Sequence, residues 1–510
     1  MSREPTGWAG TTVPAELDAD AAGRPTRFSD LNSYPALDDR LLKRLTEACA
    51  SVDTGDAARV RAGRDWWPMS VVWAAAGNNP SLPAAVVRPS DTSEVSAVLR
   101  VCNDARVPVV PVAGRSGVCG GSIPVFGGVS IDLTAMTGIT AVDDTSLLVD
   151  VRAGTNGETF ESELRSAHGL TAGHWPQSIA LSTVGGWVAC RGAGQYSTRY
   201  GKVEDMVAGL EVVLANGTVV HTGGRAPRSA TGPDLTQLFV GSEGTLGVIT
   251  GARFKTHPAP EAERRAVYGF ASFESGLEAC RLVMRRGATP AVLRLFDVAE
   301  SHRTFEAEGV AVLVVIDEGD ASLVDAVMTV VDDVATDSRF AASRMSDTIA
   351  ARWLEHRNNV PPVESLVRAG IVGETVEIAG SWAALPRIYE DAIRALNELD
   401  GTLAASARQS HAYVDGACLY FTFAGRPDDG LERYYRRCVD AIVGSTARHG
   451  GSISHHHGVG INRVPYIRDE LGSAHGVLSA IKSALDPNGI MNPGKLGLDS
   501  PFGDLRKEWA

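Results

Sequence analysis

Cysteine is scarce: 7 residues in 510, an odd number, with no two at C-x-x-C spacing. That argues against a disulfide framework and predicts reduced, intracellular thiols. Basic charge is also short, with 48 Lys and Arg against 61 Asp and Glu and a net charge of -13. Non-specific nucleic-acid binding needs a basic face, so no nucleic-acid partner is expected. Long apolar runs are missing: stretches such as Val310 to Ile316 fall far short of a membrane span. The opening residues are polar and acidic, without the basic and apolar regions of a secretory signal, so a cytoplasmic protein is expected. Histidine is rare as well, 12 in the chain, yet His455, His456 and His457 stand side by side.

What remains is ordinary globular composition, 44% hydrophobic and 21% charged, on a chain long enough for two or three domains. Residues 1–80 read as a polar, partly helical lead-in, with Leu41, Leu42, Leu45 and Cys49 at helical spacing. Residues 81–260 begin with a βαβ unit. A strand at Ala84–Val87 precedes a helix opened by the capping pair Asp91 and Glu94, with Val95, Val98, Leu99 and Cys102 on its inner face. A second strand covers Val107–Val112, and the glycine-rich loop Gly114–Gly128 follows. A Rossmann loop would open a helix, whereas this one leads into the strand-like "VSIDLTAM". Any phosphate there is held by the backbone amides of a turn. Two more glycine-dense segments, Gly173–Gly201 and "GSEGTLGVIT", flank a hairpin signal at Asn216-Gly217. Glycine loops in such number point to one extended ligand lying along the backbone.

Residues 261–450 have a different texture. Apolar strands such as "AVLRLFDV" alternate with helical stretches such as "LPRIYEDAIRALNEL", an α+β pattern. Residues 451–510 carry the histidine run and close the chain with a loop, a helix and a proline-bearing end. The position of the run excludes a purification tag. Neighbours in an extended segment point to opposite faces, so three consecutive histidines do not converge on one ion, and no metal is expected. An active-site segment remains, in which alternate imidazoles hold anions or relay protons near neutral pH and the outward one packs.

"PVAGRSG", "STVGGW" and "GSEGTLGVIT", in that order, resemble the FAD domain of the vanillyl-alcohol-oxidase (PCMH-type) flavoproteins. Within that group "GHWPQS", "RYGKVEDMV", "DGACLYFTF" and "SISHHHGVG" resemble alkyldihydroxyacetonephosphate synthases, over about residues 60–500. The resemblance implies an α+β fold: a PCMH-type FAD-binding domain, an α+β cap domain with an antiparallel sheet, and a C-terminal segment returning to the first. It implies FAD bound non-covalently, and Gly114–Gly121 contains no histidine to attach it.

Four cofactor segments carry over. They are Pro111, Val112, Ala113, Gly114, Arg115, Ser116 and Gly117; then Gln177, Ser178, Ile179, Ala180, Leu181, Ser182 and Thr183; then Cys190, Arg191, Gly192 and Ala193; and lastly Glu243, Gly244, Thr245, Leu246, Gly247, Val248 and Ile249. Gln177 and Cys190 depart from the acidic residue and threonine of the family pattern. The resemblance also makes Tyr420, His455, His456, His457 and Arg294 catalytic, Arg368 a phosphate contact and His174 a substrate contact.

By its own pattern "ACLYFTF" alternates like a strand, where a tyrosine is ordinary core. As a base, Tyr420 needs a nearby cation to bring down a pKa near 10. Arg294 and Arg368 lie in apolar contexts that suit anion clamps, with surface salt bridges as the other reading. The implied activity exchanges the acyl chain of acyl-dihydroxyacetone phosphate for a long-chain fatty alcohol, an ether-lipid step without net redox. The alternative is FAD-linked oxidation of a hydroxyacid or alcohol. Implied partners are lipid-like substrates, a second copy in a homodimer, and a membrane surface touched peripherally.

Overall fold

The structure, a computed structural model, describes residues 27, 28, 31, 37–224, 226–340, 342–359 and 363–509. Most of the first 36 residues of the expected lead-in lie outside these. What is described of it is more than a lead-in. Helix Asp39–Ala48 buries Leu41 and Leu45, and the short strand Val52–Asp53 pairs antiparallel with Ala85–Val87. The first sheet therefore starts before residue 81. Its other members, Ala85–Val87, Val129–Asp132 and Val109–Val112, run parallel, with helix Thr92–Ala105 as the crossover. Asp91 caps that helix by accepting from the Ser93 and Glu94 amides, and Val95, Val98, Leu99 and Cys102 are fully buried. The loop Gly114–Gly128 thus joins two adjacent parallel strands.

A second, antiparallel sheet orders its strands Ile139–Asp143, Leu148–Arg152, Val248–Lys255, Val207–Val213 and Val219–Gly223. The Asn216-Gly217 hairpin closes its edge, with Gly217 at φ +81°.

The third sheet is antiparallel and has seven strands. They are ordered Ser343–Arg344, Ala262–Phe270, Ala311–Gly319, Val292–Phe296, Thr402–Ala412, Gly416–Gly425 and Val372–Ser381. Strand alternation divides its side chains between two cores. Tyr268, Leu293, Leu295, Leu313, Leu419 and Phe421 pack with helices Phe273–Arg285, Leu385–Asn397 and Leu431–Arg448. Val267, Val292, Phe296, Val312 and Val314 face the first half of the chain, packing with Ile179 and Trp187. The segment after residue 451 returns across the molecule: Val109 N donates to Ile490 O at 2.8 Å and Asn492 N to Val109 O at 2.8 Å. No helix among the described residues is long and apolar enough to cross a membrane.

Candidate active site

Because Leu419, Phe421 and Phe423 belong to the helix-side core, Tyr420 must point the other way, toward the first half of the chain. Register then lines up a row of polar residues on that face. Tyr420 is opposite Arg408 on one neighbour strand and opposite Glu377 on the other. Arg294, one strand further on, lies between Leu293 and Leu295 and shares their opposite face. The Arg408 guanidinium carbon stands 4.7 Å from the Tyr420 ring centroid and that of Arg294 stands 5.7 Å away. Arg408 is paired with Glu300 at 2.6 Å. Arg294, 8% exposed, has no hydrogen bond or ion pair among the described residues and lies over the Phe296, Trp353 and Tyr420 rings. Burial, then Arg408, lowers its pKa to about 10, so it stays a cation.

His411 joins the row by an irregularity. Strand register shifts between Ser410 and Ala412, and His411 sits at φ +52°. Such a bulge re-aims a side chain. The ring is placed with Nε2 2.7 Å from Tyr420 Oη and Nδ1 2.6 Å from Ser197 Oγ.

The histidine run is not extended. It bends over residues 455–457, and the three rings gather instead of alternating. Centroids are 5.1 Å apart for His455 and His456, and 4.6 Å for His456 and His457. This corrects the expectation of opposite faces. His456 Nε2 lies 3.1 Å from Tyr420 Oη, His455 Nδ1 lies 2.9 Å from His456 Nδ1, and His455 Nε2 lies 2.9 Å from Tyr413 Oη. The bend also brings Cys418 and the donor nitrogens of His455 and His456 within 4.8 Å of one another, a grouping the sequence spacing hides.

Two buried carboxylates impose the bend. Glu377 accepts from the backbone amides of His455 and His457, the latter at 2.7 Å, and forms an ion pair with Arg463 Nη1 at 3.2 Å. Glu243 accepts from Val459 N at 2.5 Å and Gly460 N at 2.9 Å. At Gly460, φ is +52° and a Cβ would stand 2.1 Å from Cys119 O, so only glycine lets the turn lie against the glycine loop.

The four segments expected to hold the cofactor converge beside this turn. A Cβ on Gly114 would meet Leu181 O at 2.2 Å, which places the loop 111–117 directly on 177–183. Glu243 N donates to Ala189 O at 2.9 Å, and the Asn492 amide donates to Glu243 O at 2.6 Å. Strained backbone collects here: Arg115, Arg191, Glu243 and Asn492 all have positive φ. So do buried polar atoms without a partner among the described residues: both ring nitrogens of His174, Ser122 Oγ, Ser242 Oγ and Asn492 Oδ1. Such atoms are costly unless a ligand meets them. A long polar cofactor with phosphates and ring nitrogens fits them, and FAD is such a molecule.

Residues 83–223 match the family described as FAD binding domain, and residues 259–496 match FAD linked oxidases, C-terminal domain. An uncharacterised FAD-linked oxidoreductase of Escherichia coli (strain K12), YgcU, is 33% identical over 434 residues, 81% of this chain and 89% of the relative. The chain belongs to the FAD-linked oxidase flavoproteins. Among relatives, an alkyldihydroxyacetonephosphate synthase of Dictyostelium discoideum is 28% identical over 457 residues, 82% of this chain and 74% of its own. A solved alkyldihydroxyacetonephosphate synthase shares the fold, with TM-score 0.77 at 24% identity over 91% of this chain and 87% of that one. The PCMH-type FAD domain plus α+β cap is therefore the architecture, and FAD the cofactor.

In this member of the FAD-linked oxidase family the imidazoles do not titrate near neutrality as the sequence suggested. Burial, then neighbouring positive groups, pushes His411, His455 and His456 well below the usual 6.5. Burial brings His457 to about 4, although Glu377 pulls upward. The cations beside Tyr420 are Arg294 and Arg408, not imidazoliums. They do not win: burial raises the Tyr420 phenol above its ordinary 10. Burial penalises the charged imidazole, so its neutral form persists below pH 6.5. Any acid limb of kcat/KM is accordingly expected well below that value. A limb centred at 6.5 in a pH–rate profile would mean a solvent-like histidine governs the reaction.

Of the sequence-nominated residues, Tyr420, Arg294 and the three histidines come together. Arg368 does not. It ends the short helix Val363–Arg368, with a side chain 67% exposed and an ion pair to Glu364 at 2.6 Å. Val367 beside it is buried while the arginine faces water, so a phosphate-clamp role is not supported. Arg368→Ala is expected to leave KM within about twofold and stability within about 0.5 kcal/mol, as for most exposed pairs. Steady-state kinetics and a melt would check both. His174 is fully buried against Trp187, ring centroids 4.4 Å apart, and burial lowers its pKa to about 3. It lies beside the cofactor segments: a side chain on Gly192 would stand 3.7 Å from its Nε2. Gln177 is exposed and donates to Asn359 O at 3.1 Å. Leu246, Val248, Ile179 and Ile249 fill cores.

Sequence reasoning missed His411, Ser197, Tyr413, Arg408, Glu377 and Arg463, and took Glu243 only as a cofactor contact. The only signal available was the histidine rarity that singled out the run, and it applied equally to His411.

Proposed function

We propose that the enzyme takes a proton from a carbon beside a carbonyl of an anionic substrate, and that its reaction is the exchange of an acyl chain for a long-chain alcohol on acyl-dihydroxyacetone phosphate. One observation carries this: the Tyr420 hydroxyl is held between His411 and His456, 2.7 and 3.1 Å away, beside an unpaired buried Arg294. A phenol whose pKa is raised is a poor resting base. It becomes an effective one if its own proton passes to a neutral imidazole as it accepts the substrate's. Both flanking rings are held neutral and can receive it. Arg294 supplies the cation that an anionic head group needs, in a desolvated setting where a planar fork binds oxyanions strongly. FAD, when bound, supplies the electron sink that such a carbon requires. A proton passed to side chains that all stay neutral can be returned, which suits a redox-neutral exchange. The 28% identical synthase supports the same reading.

A second reading, FAD-linked oxidation of a hydroxyacid or alcohol, is favoured by the placement of Arg368. Without it the cluster offers one unpaired cation, enough for a carboxylate and short for a phosphate. The 33% identical oxidoreductase points the same way. One experiment separates them. Purified holoenzyme is incubated without an electron acceptor with palmitoyl-dihydroxyacetone phosphate and radiolabelled hexadecanol. Labelled ether product supports the exchange. No product, with flavin bleached by a hydroxyacid and restored by an acceptor, hands the function to the oxidation.

A further inference from the structure

His411, His455 and His456 each use both ring nitrogens on other side chains. A catalytic histidine ordinarily has its second nitrogen tied to a carbonyl or carboxylate, which fixes one tautomer. Here the contacts run in a chain: Ser197 Oγ to His411 Nδ1 at 2.6 Å, His411 Nε2 to Tyr420 Oη at 2.7 Å, Tyr420 Oη to His456 Nε2 at 3.1 Å. It continues from His456 Nδ1 to His455 Nδ1 at 2.9 Å and from His455 Nε2 to Tyr413 Oη at 2.9 Å. A neutral imidazole has one donor and one acceptor, and a hydroxyl can give one hydrogen while receiving another. The five contacts are therefore all satisfied with one hydrogen each, pointing the same way along the chain. Reversing every hydrogen satisfies them equally well. Tyr413 is half-buried, next to Val414, which is 71% exposed at the tip of the hairpin joining strands 402–412 and 416–425. Burial raises the Tyr413 phenol and the Ser197 hydroxyl pulls it back, so the two ends of the chain also bear on one another.

We propose that this chain is a proton wire and that Tyr413 is its outer terminus, connecting Tyr420 to solvent through His456 and His455. The inference rests on the reading of Tyr420 as the group that accepts the substrate proton. As Tyr420 Oη receives that proton, its own hydrogen moves to His456 Nε2. The His456 Nδ1 hydrogen moves to His455 Nδ1, and the His455 Nε2 hydrogen to Tyr413 Oη. The Tyr413 hydrogen leaves to solvent, Tyr413 being partly exposed where Ser197 at the other end is buried. One proton has crossed, every group is again neutral, no electrons have moved along the wire, and His456 and His455 have each changed tautomer. Run backward, the same wire returns a solvent proton to the substrate carbon. The His411–Ser197 arm holds the other side of Tyr420 and makes Tyr413, not Ser197, the exposed end.

The test has two arms on full-length holoenzyme. Without substrate, ¹⁵N-imidazole spectra report tautomers, with rings assigned by single His→Gln variants. Tyr413→Phe should shift the tautomer populations of His456, a ring Tyr413 does not bond, together with those of His455. An unchanged His456 overturns the wire. With palmitoyl-dihydroxyacetone phosphate in D₂O, deuterium should enter the carbon beside the ketone in the wild type. Tyr413→Phe should slow that entry about tenfold or more, within the range of one lost proton-transfer group. Tyr413→Gln keeps a hydrogen bond to His455 but passes no proton and should be equally slow, whereas Tyr413→His should recover most of the rate. Equal entry in wild type and Tyr413→Phe overturns the wire. No entry even in the wild type overturns the reading of Tyr420 and leaves the wire to the spectra. An unchanged bound-flavin spectrum in each variant shows that the fold survived.

Discussion

Tyr420→Phe is expected to retain its full complement of FAD and to lose turnover by about 10²–10⁴-fold, the usual worth of one positioned acid–base group. The substitution is close to surgical. Tyr420 is 8% exposed, and its ring keeps the same packing as phenylalanine, including the faces presented to Arg408 and Arg294. Only the oxygen goes, and with it the shared partner of His411 and His456. Two buried ring nitrogens then lack a partner, at a cost of about 1–3 kcal/mol each. The variant should therefore melt somewhat earlier but fold. The flavin-to-protein ratio from visible absorption and the turnover number measure the two halves of the expectation. Activity within twofold of wild type would remove Tyr420 from the chemistry. Loss of flavin together with activity would make it structural.

The legible parts of this molecule are the local ones. The βαβ unit, the Asn216-Gly217 hairpin and the glycine loops are each specified by residues within a few positions of each other, so their patterns read directly. Tyr420 reads well for a related reason. Leu419, Phe421 and Phe423 fix the phase of its strand, and the tyrosine must take the other face. His411 illustrates what pattern cannot deliver. Strict alternation from Arg408 would send it to the helix side, and a bulge with a left-handed residue reverses that. The bend of the histidine run was hidden because its cause lies elsewhere in the chain: Glu377 is 78 residues from His455, and Glu243 is 216 from Val459. Arg368 misled because a short apolar helix looks alike whether its arginine faces core or water.

Glu377→Gln is expected to be the most damaging single change among the residues that hold the histidine turn in place. Glu377 and Arg463 are both essentially without exposure. Burial would raise the Glu377 carboxyl. Arg463, then His457 and the amides of His455 and His457, hold it below its ordinary 4.5 instead. Arg463 also donates to Gly458 O at 2.6 Å and Glu377 O at 2.9 Å, so the ion pair pins the turn to the strand at two places. The amide of glutamine keeps the shape but removes the charge and leaves a buried guanidinium unpaired. Breaking such a pair from one side costs about 3–5 kcal/mol. For a unit the size of this cap that is a fall on the order of 10 °C in melting temperature. The sign with pH follows from the lowered pKa. The stabilisation is present above the unfolded value of 4.5 and is lost as pH falls through the folded value, so wild type and variant should converge in acid. Removing both partners, as Glu377→Gln with Arg463→Met, should recover part of the loss, since no buried charge is then stranded. A double-mutant cycle of melts at pH 7 and again in acid reads all of this. If Glu377→Gln melts with the wild type at pH 7, the pair is idle and something else bends the histidines. If it melts early but the double variant melts earlier still, the charges act separately and not as a pair.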